Sequence, residues 1–344
     1  MVTDWQPDVL GPGFLARALS LLDDEFGPQT ATLVKHVPAQ DPQAPAGTPT
    51  RQRFAVLYLH GWNDYFHNRE LARRVARLGG AFYGLDLRRY GRNLTPEALP
   101  GYVDSLETYD EDIHAALTVI RSELGFELPL VLMGHSTGGL TAALWAHRHP
   151  GALRALILDS PWLELQGSAL VRTLGMPVVE ALARRNPTAV IPMTDLGFYQ
   201  RALTGWTDDD GPRPAGTDGD PFYDGWKLDP RWRHFPSMPV RPGWLRAVLE
   251  GHSRVAEGLA ITCPILVMSS TRTLFTNKWL PELREVDTVL DVDQIAQRSI
   301  RLGPLMTLAR FEGAIHDVLL SAAPVRGAVY REMDRWIGAY VLGR

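Results

Sequence analysis

The chain has 344 residues, of which 45% are hydrophobic and 22% are charged, with a net charge of −4 and one cysteine. This length and apolar fraction suit one large folded domain with an inserted subdomain, whereas the weak net charge indicates neither a nucleic-acid-binding face nor a polybasic membrane anchor. One cysteine excludes an internal disulfide framework, and Cys263 directly precedes an apolar segment, which favours a buried structural thiol over a nucleophile.

The first residues of the chain carry neither a basic nor an apolar targeting pattern. Met1 is followed by Val-Thr-Asp-Trp-Gln-Pro, and no run of 18 apolar residues occurs anywhere in the sequence. We therefore expect a soluble, cytoplasmic protein with no integral membrane segment.

The first half of the chain alternates between predicted helices and strands. Apolar residues at 13–22 have helical spacing, and residues 30–37 predict a first strand at an edge of the sheet. Residues 53–59 predict a strand that leads directly into the loop beginning at His60. The next predicted segments are a helix at 68–78, a strand at 81–87, a long surface connection at 88–103 and a helix at 104–124.

An apolar run at residues 130–133 leads into a Gly-x-Ser-x-Gly motif centred on Ser136, and a helical segment at 140–149 follows. This context predicts a nucleophile elbow, in which a strand turns sharply into a helix and presents one strained residue at the apex. Gly134 and Gly138 leave room for such a tight turn. Ser136 is therefore the candidate nucleophile.

The alternation of strands and helices stops after a strand predicted at residues 153–158. About a hundred residues then pass before the next apolar strand, and a connection of that length must form a subdomain of its own. The sequence predicts an α/β fold with a mainly parallel, doubly wound sheet and an inserted cap over its carboxyl edge. We divide the chain into a first core part at 1–161, a cap at 162–262 and a second core part at 263–344. The second part contains predicted strands at 264–268 and 305–311 and helices at 291–300 and 324–342.

A serine hydroxyl needs a general base, and in folds with this elbow the order along the chain is serine, acid, histidine. Five histidines follow Ser136. Two of them lie about three turns down the elbow helix, two lie in the insert, and His316 follows the last strand at the correct edge of the sheet. His316 is therefore the predicted base; the others are His147, His149, His234 and His252.

The acid has three candidates. Asp291, with Gln294 three residues later, fits an N-terminal capping box of the following helix, which gives Asp291 a structural role. Asp287 is then the carboxylate without another explanation, and we predict it as the acid. Two alternatives to Asp287 stay open: Asp291, and Asp159 at the end of the strand predicted at 153–158. The long loop at 269–286, which precedes Asp287, is where this assignment could be wrong.

Negative charge that develops on a substrate oxygen needs two preorganised donors. The N–H of Thr137, directly after the nucleophile, is the first predicted donor, and the N–H of Trp62 is the second because Gly61 lets that loop approach closely. His60, Asp64 and His67 do not have the spacing of a metal site. We expect neither a metal nor a cofactor.

These residues together give the chain a resemblance to the α/β-hydrolase superfamily, within it to the branch of monoacylglycerol lipases, lysophospholipases and serine-aminopeptidase-like proteins. The matching pieces are His60-Gly61, Asp86, the elbow around Ser136, Asp287, and His316 in its late Gly-x-x-His loop. The resemblance implies hydrolysis through an acyl-enzyme, with acyl esters of glycerol or glycerophospholipid as substrates. The Asp86 segment is the weaker part of the match, and we expect it to have a structural role. We do not expect peptidase activity from the family label alone.

The resulting hypothesis is a serine hydrolase that cleaves carboxylic esters of small molecules without a cofactor. A cap with five tryptophans favours acyl chains over charged substrates, although the same residues could pack the cap on the sheet. A cofactor-free haloperoxidase or perhydrolase would use the same three residues, and a non-catalytic binding protein on a hydrolase scaffold is the alternative outside enzymes.

Overall fold

The computed structural model describes residues 4–95, 98–165 and 169–343. In this part of the chain nine strands form one sheet in the order β1-β2-β3-β5-β4-β6-β7-β8-β9. The pairings from β5 across to β9 are parallel, and those among β1, β2, β3 and β5 are antiparallel. The strands are β1 Gln6–Pro7, β2 Phe14–Ser20, β3 Thr30–His36, β4 Phe54–Leu59, β5 Gly80–Asp86, β6 Leu130–His135, β7 Ala155–Asp159, β8 Ile265–Ser270 and β9 Met306–Phe311.

Helices cover both faces of the sheet. The helices of the described residues are α1 Arg69–Arg77, α2 Tyr109–Leu124, α3 Thr137–Arg148, α4 Ala169–Arg185, α5 Phe198–Leu203, α6 Pro221–Asp224, α7 Pro242–Glu257, α8 Val292–Ser299 and α9 Ala323–Tyr340. Side chains alternate along each strand, so Leu57 of β4 joins the core under α2, α3, α7 and α8, whereas Val56 joins the core under α1 and α9. This is the mainly parallel, doubly wound sheet that the sequence predicts.

The central strands β4 and β6 are buried at every residue, because they are covered on both faces. Their register pairs Leu59 with Gly134, and β6 pairs His135 with Asp159 at the end of β7. Since these strands are parallel, the loops that follow them meet at one edge of the sheet. This edge holds the candidate site.

The predicted helix at 13–22 is wrong, because most of that segment forms strand β2. Every residue of β2 pairs with a residue of β3, from Phe14 opposite His36 to Ser20 opposite Thr30. This ladder satisfies the backbone hydrogen bonds that a helix would otherwise make, so long-range pairing outweighs the local apolar spacing. The same pairing makes β3 an interior strand, and its predicted position as the first strand at the edge is also wrong.

The predicted surface connection at 88–103 is also partly wrong, because several of its side chains are buried. Arg88 is 3% exposed and forms ion pairs with Asp112 and Glu111. Arg92 pairs with Asp86, whose Oδ1 accepts the N–H of a core residue, in keeping with the structural role expected for this aspartate. A buried arginine needs partners, and the sequence pattern of a loop does not reveal them.

Helices α4 to α7 all lie between β7 and β8, within the segment predicted as a cap. Helix α7 packs against both α3 and α4 and so connects this segment to the core. None of the helices in the described residues is long and apolar enough to cross a membrane.

Candidate active site

Strand β6 passes directly into α3 through Ser136, which has φ 53° and ψ −117°. A positive φ is uncommon for a residue other than glycine, so the backbone at Ser136 is strained. The flanking glycines are required by close contact: a Cβ on Gly134 would lie 2.4 Å from the Gly138 carbonyl oxygen, and one on Gly138 would lie 2.3 Å from the His60 carbonyl oxygen. The motif therefore forms the sharp strand-to-helix turn that the sequence predicts.

Three predicted side chains form a hydrogen-bonded chain at this turn. His316 Nε2 lies 3.0 Å from Ser136 Oγ, and His316 Nδ1 lies 2.9 Å from Asp287 Oδ2. All three residues are buried. An ionised carboxylate only accepts hydrogen bonds, so Nδ1 carries the proton, and the free lone pair of Nε2 faces the serine hydroxyl.

The backbone holds Asp287 in place on both sides. Its Oδ1 accepts the N–H groups of Val289 and Leu290, each at 2.8 Å. The Asp287 N–H donates to the Arg272 carbonyl at 2.9 Å. This hydrogen bond belongs to a β-bridge between Asp287 and Thr273, just after the end of β8. The long loop before Asp287 therefore returns to the strand from which it left, and its length does not displace the carboxylate.

The two alternative acids have other partners. Asp291 Oδ1 accepts the N–H groups of Asp293 and Gln294 and caps helix α8, as expected. Gln294 Oε1 has no partner among the described residues, so the reciprocal half of the predicted capping box is not formed. Asp159 Oδ1 accepts the Val318 N–H at 3.3 Å. Neither alternative is hydrogen-bonded to His316.

The other histidines considered as bases lie in unrelated contacts. His147 Nδ1 accepts the N–H of Ala260, and His149 faces the carbonyl of its own helix. His234 and His252 are bonded to carbonyl groups of the chain through Nε2. Cys263 is buried, and burial raises the pKa of its thiol to about 11, which disfavours a nucleophilic thiolate at neutral pH.

The loop after β4 lies directly against the serine. A Cβ added to Gly61 would be 3.1 Å from Ser136 Cβ, so only glycine fits there without a shift. His60 fixes this loop through its ring, because Nδ1 lies 2.8 Å from the Gly61 carbonyl and Nε2 accepts the Leu87 N–H. Among the hydrogen bonds of the described residues, none is donated by the backbone N–H of Trp62 or of Thr137. Their role as oxyanion donors stays a prediction.

Two residues of the cap segment that the sequence did not indicate lie at the site. Arg233 forms a buried ion pair with Asp64, at 2.7 Å, and Tyr199 packs edge-on against the His316 ring, with centroids 5.3 Å apart. Arg233 also lies over the Tyr199 ring. No local motif marks these residues, because their partners in the core, Asp64 and His316, lie more than a hundred positions away along the chain.

The side chains considered as metal ligands in the loop after β4 have partners within the protein. Asp64, one of the loop residues considered for a metal, is paired with Arg233, and His67 lies 3.7 Å from the same carboxylate. In the described part of the chain, the group with three donor atoms close enough for an ion is His135, Asp159 and Asp317.

A pocket of about 540 Å³ opens above Ser136 and His316. The cap segment supplies most of its apolar wall, through the side chains of Val190, Ile191, Met193, Met238 and Val240. Such a volume is within the ordinary range for small-molecule sites.

The cap tryptophans do not line this pocket and serve packing instead. Trp244 contacts Trp62 of the core at 3.9 Å between ring centroids, and Trp226 Nε1 donates to the Leu320 carbonyl. The apolar character of the pocket therefore comes from aliphatic residues and methionines rather than from the tryptophans that the sequence emphasises.

The cap segment also contacts the loop that carries Asp287, through a buried ion pair. Arg284, 1% exposed, pairs with Asp210 of the cap segment at 2.9 Å and donates to the carbonyls of Ala202 and Gly205. Burial alone would raise the pKa of Asp210, but hydrogen bonds from Arg284 and Thr207 lower it to about 2. The guanidinium lies among three aromatic rings, those of Trp206, Trp279 and Phe222.

Arg284→Ala is expected to reduce the free energy of unfolding by about 3–5 kcal/mol, because Asp210 would keep a buried negative charge without a positive charge beside it. Arg272→Ala is the matched control, since Arg272 lies in the same loop, is 63% exposed and pairs weakly with Glu282; its expected cost is below about 0.5 kcal/mol. Denaturant unfolding measures both values. Equal stability of the two variants would show that the buried pair does not hold the cap segment.

Known proteins similar to this chain were identified by sequence and by structure. Residues 50–277 match the family model Hydrolase_4, described as serine aminopeptidase, S33. A monoglyceride lipase homolog of Monkeypox virus is 24% identical over 84% of this chain and 90% of its own length. The monoacylglycerol lipase of Mycolicibacterium smegmatis is 23% identical over 85% of this chain and 90% of its own. The crystal structure of a soluble variant of monoglyceride lipase from Saccharomyces cerevisiae has a TM-score of 0.61 at 16% identity, over 94% of this chain and 96% of that one, which supports the fold.

Proposed function

We propose that this chain, which belongs to the serine aminopeptidase S33 family (Hydrolase_4) of α/β hydrolases, cleaves carboxylic esters through a covalent acyl-enzyme. The family and the lipase relatives make the chain a hydrolase of the lipase and esterase class. The observation that carries the proposal is His316, whose two ring nitrogens lie within hydrogen-bonding distance of Ser136 and Asp287 at the floor of an apolar pocket.

In the proposed first half-reaction, Ser136 Oγ attacks the ester carbonyl carbon while His316 Nε2 takes the hydroxyl proton. The imidazolium that forms is stabilised by Asp287. The backbone N–H groups of Trp62 and Thr137 stabilise the negative charge on the tetrahedral oxygen. The intermediate collapses, His316 returns its proton to the leaving alkoxide, and the alcohol departs from an acyl-serine.

In the second half-reaction, water attacks the acyl-serine and gives its proton to His316 Nε2. Collapse of the second tetrahedral intermediate releases the carboxylic acid, and His316 returns the proton to Ser136 Oγ. Every proton transfer uses residues of this chain, so no metal or cofactor is required by the scheme.

The proposed substrates are acyl esters of lipid type, such as monoacylglycerols or lysophospholipid-like molecules. The aliphatic wall of the pocket supports a chain of methylene groups. Two relatives that span most of the chain are named for monoglyceride or monoacylglycerol lipase activity. We further propose that 162–262 act as the cap that selects the acyl group, with 1–161 and 263–344 forming the catalytic core.

The test is to label the purified protein with a fluorophosphonate and to identify the labelled peptide by mass spectrometry. The proposal expects one label, on Ser136, and turnover of p-nitrophenyl esters that increases with acyl length up to the limit of the pocket. A matched amide, an aminoacyl p-nitroanilide, should react far more slowly.

Two other outcomes would reject the proposal. Peroxide-dependent oxidation that exceeds ester hydrolysis would identify a perhydrolase. A folded protein that neither labels nor turns over any ester would be a binding protein on a hydrolase scaffold.

A further inference from the structure

Two buried carboxyl groups, those of Asp159 and Asp317, have no part in the proposed reaction. Asp159 is 0% and Asp317 is 3% exposed. One oxygen of each carboxyl group and one nitrogen of the His135 ring all lie within 4.8 Å of one another. Buried acidic groups at such a distance cannot both be charged without a large electrostatic cost.

The two groups lie next to the proposed nucleophile and base in the fold. Asp159 is the last residue of β7, and its backbone oxygen accepts the Ser136 N–H at 3.0 Å. Asp317 directly follows His316, and its Oδ1 accepts the Leu319 N–H at 2.9 Å. The pair therefore connects the turn that carries the serine to the loop that carries the histidine.

The two carboxyl groups are close enough for an electrostatic interaction, with one oxygen of each within 4.8 Å of the other. Two carboxylates offer each other no donor, so a hydrogen bond between them would need one proton on the pair. Asp159 Oδ2 receives no hydrogen bond from any N–H or O–H group of the described residues. Burial, followed by the charge of Asp317, raises the pKa of Asp159 well above its usual range.

The groups around the pair do not supply a compensating positive charge. Burial lowers the pKa of His135 to about 4, so its ring is neutral at pH 7. Arg233 is paired with Asp64, and burial likewise lowers the pKa of the nearby His67. His316 also adjoins the pair, because it precedes Asp317 in the chain and its ring centroid lies 4.9 Å from that of His135. The tyrosines that interact with Asp317 have pKa values that burial raises, namely Tyr58 of β4, Tyr199 of α5 and Tyr330 of α9.

We propose that Asp159 and Asp317 share one proton and that this carboxyl pair fixes the His316 loop against the Ser136 turn. Both are positioning residues in this account, since neither touches the reacting atoms. The proposal rests on the proposed function for its catalytic consequence, but the shared proton has a consequence for stability that needs no substrate.

The raised pKa of Asp159 determines whether the protein gains or loses stability as pH rises. Because folding raises the pKa of Asp159, the stability that its proton supplies is fully present below the unfolded pKa and is lost as pH rises through the folded pKa. Above that point two adjacent charges repel each other and separate the two loops. The wild-type protein should therefore lose both stability and turnover on the alkaline side.

Asp159→Asn and Asp317→Asn test the pair, because an asparagine amide donates to the remaining carboxylate as the protonated carboxyl does, yet does not titrate. We expect kcat at pH 7 within about threefold of wild type, corresponding to a small loss of hydrogen-bond energy. The alkaline limb of the kcat profile should move up by about one pH unit or more. In thermal unfolding from pH 6 to 10, the Tm of each variant should rise relative to wild type as pH rises.

Asp293→Asn is the control, because Asp293 is a carboxylate 71% exposed that pairs with Arg310 on the surface. It should leave both pH profiles unchanged. Asp159→Ala is the contrasting variant, because alanine has no titratable group and also cannot form the proposed hydrogen bond to Asp317. It is expected to lower kcat at pH 7 by about tenfold, with a smaller change in KM.

The inference fails if both asparagine variants follow the wild-type pH dependence of Tm. It also fails if purified wild type contains about one equivalent of tightly bound metal that either variant loses, because the three donors would then form a metal site. Should the variants not fold, infrared spectroscopy of wild type decides, since a shared proton requires a carboxylic-acid band at pH 7 and its absence overturns the proposal. If the asparagine variants change the pH dependence of Tm but wild type has no esterase activity, the shared proton is supported and only the proposed function is rejected.

Discussion

Ser136→Ala is expected to lower kcat for a p-nitrophenyl ester by about 10⁶-fold, because the proposed acyl-enzyme forms on the Ser136 hydroxyl. KM should change little, since the methyl group leaves the pocket intact. Alanine has the same Cβ as serine, so the strained turn at this position is kept and the variant should fold. The measurement is steady-state hydrolysis combined with the fluorophosphonate label, which the variant should not take up.

The matched control is Ser299→Ala. Ser299 is also a buried serine, which donates to a carbonyl of its own helix α8, and replacing it with alanine should leave turnover unchanged. Retention of more than about one percent of wild-type turnover by Ser136→Ala would exceed what binding and oxyanion contacts alone supply. The nucleophile would then have to be another group.

Asp287→Asn is expected to lower kcat by about 10⁴-fold. An asparagine amide can donate to His316 Nδ1, which favours the tautomer with the proton on Nε2, and this tautomer cannot accept the serine proton. The Oδ1 contacts with Val289 and Leu290 can still form, so the loop should keep its position. The decisive readout is kcat, with thermal unfolding as the check on folding.

Asp291→Asn is the control for the acid, because asparagine caps a helix about as well as aspartate and Asp291 caps α8. It should retain turnover. A large loss in Asp291→Asn together with an active Asp287→Asn would reject the hydrogen-bonded arrangement as the catalytic one.

The sequence predicts most of the site because its determinants are local or follow from strand order. The glycines at 134 and 138 specify a tight turn whatever surrounds it, and a loop after a parallel strand has only one edge of the sheet on which to lie. His316 could be selected on that ground alone. The catalytic roles of these residues remain predictions.

The features that the sequence does not predict depend on contacts between distant segments. Residues 14–20 have a helical apolar spacing, yet their pairing with β3 makes them a strand. Arg233 and Arg284 look like ordinary surface arginines in the sequence, but each is buried against a carboxylate from a distant segment. No spacing rule links such partners, so the attachment of the cap segment could not be anticipated.

The ion pair between Arg284 and Asp210 restricts which cap segments from relatives could replace the one in this protein. An exchange of the cap segment for that of a relative would appear modular, since the insert begins and ends at neighbouring strands of the sheet. Arg284 lies outside the exchanged segment, however, only three positions before Asp287, and would lose its carboxylate and the Trp206 and Phe222 rings. A chimera must therefore bring its own acidic partner for this arginine or replace the arginine as well, since the loop that carries Asp287 would otherwise hold a buried, unpaired cation.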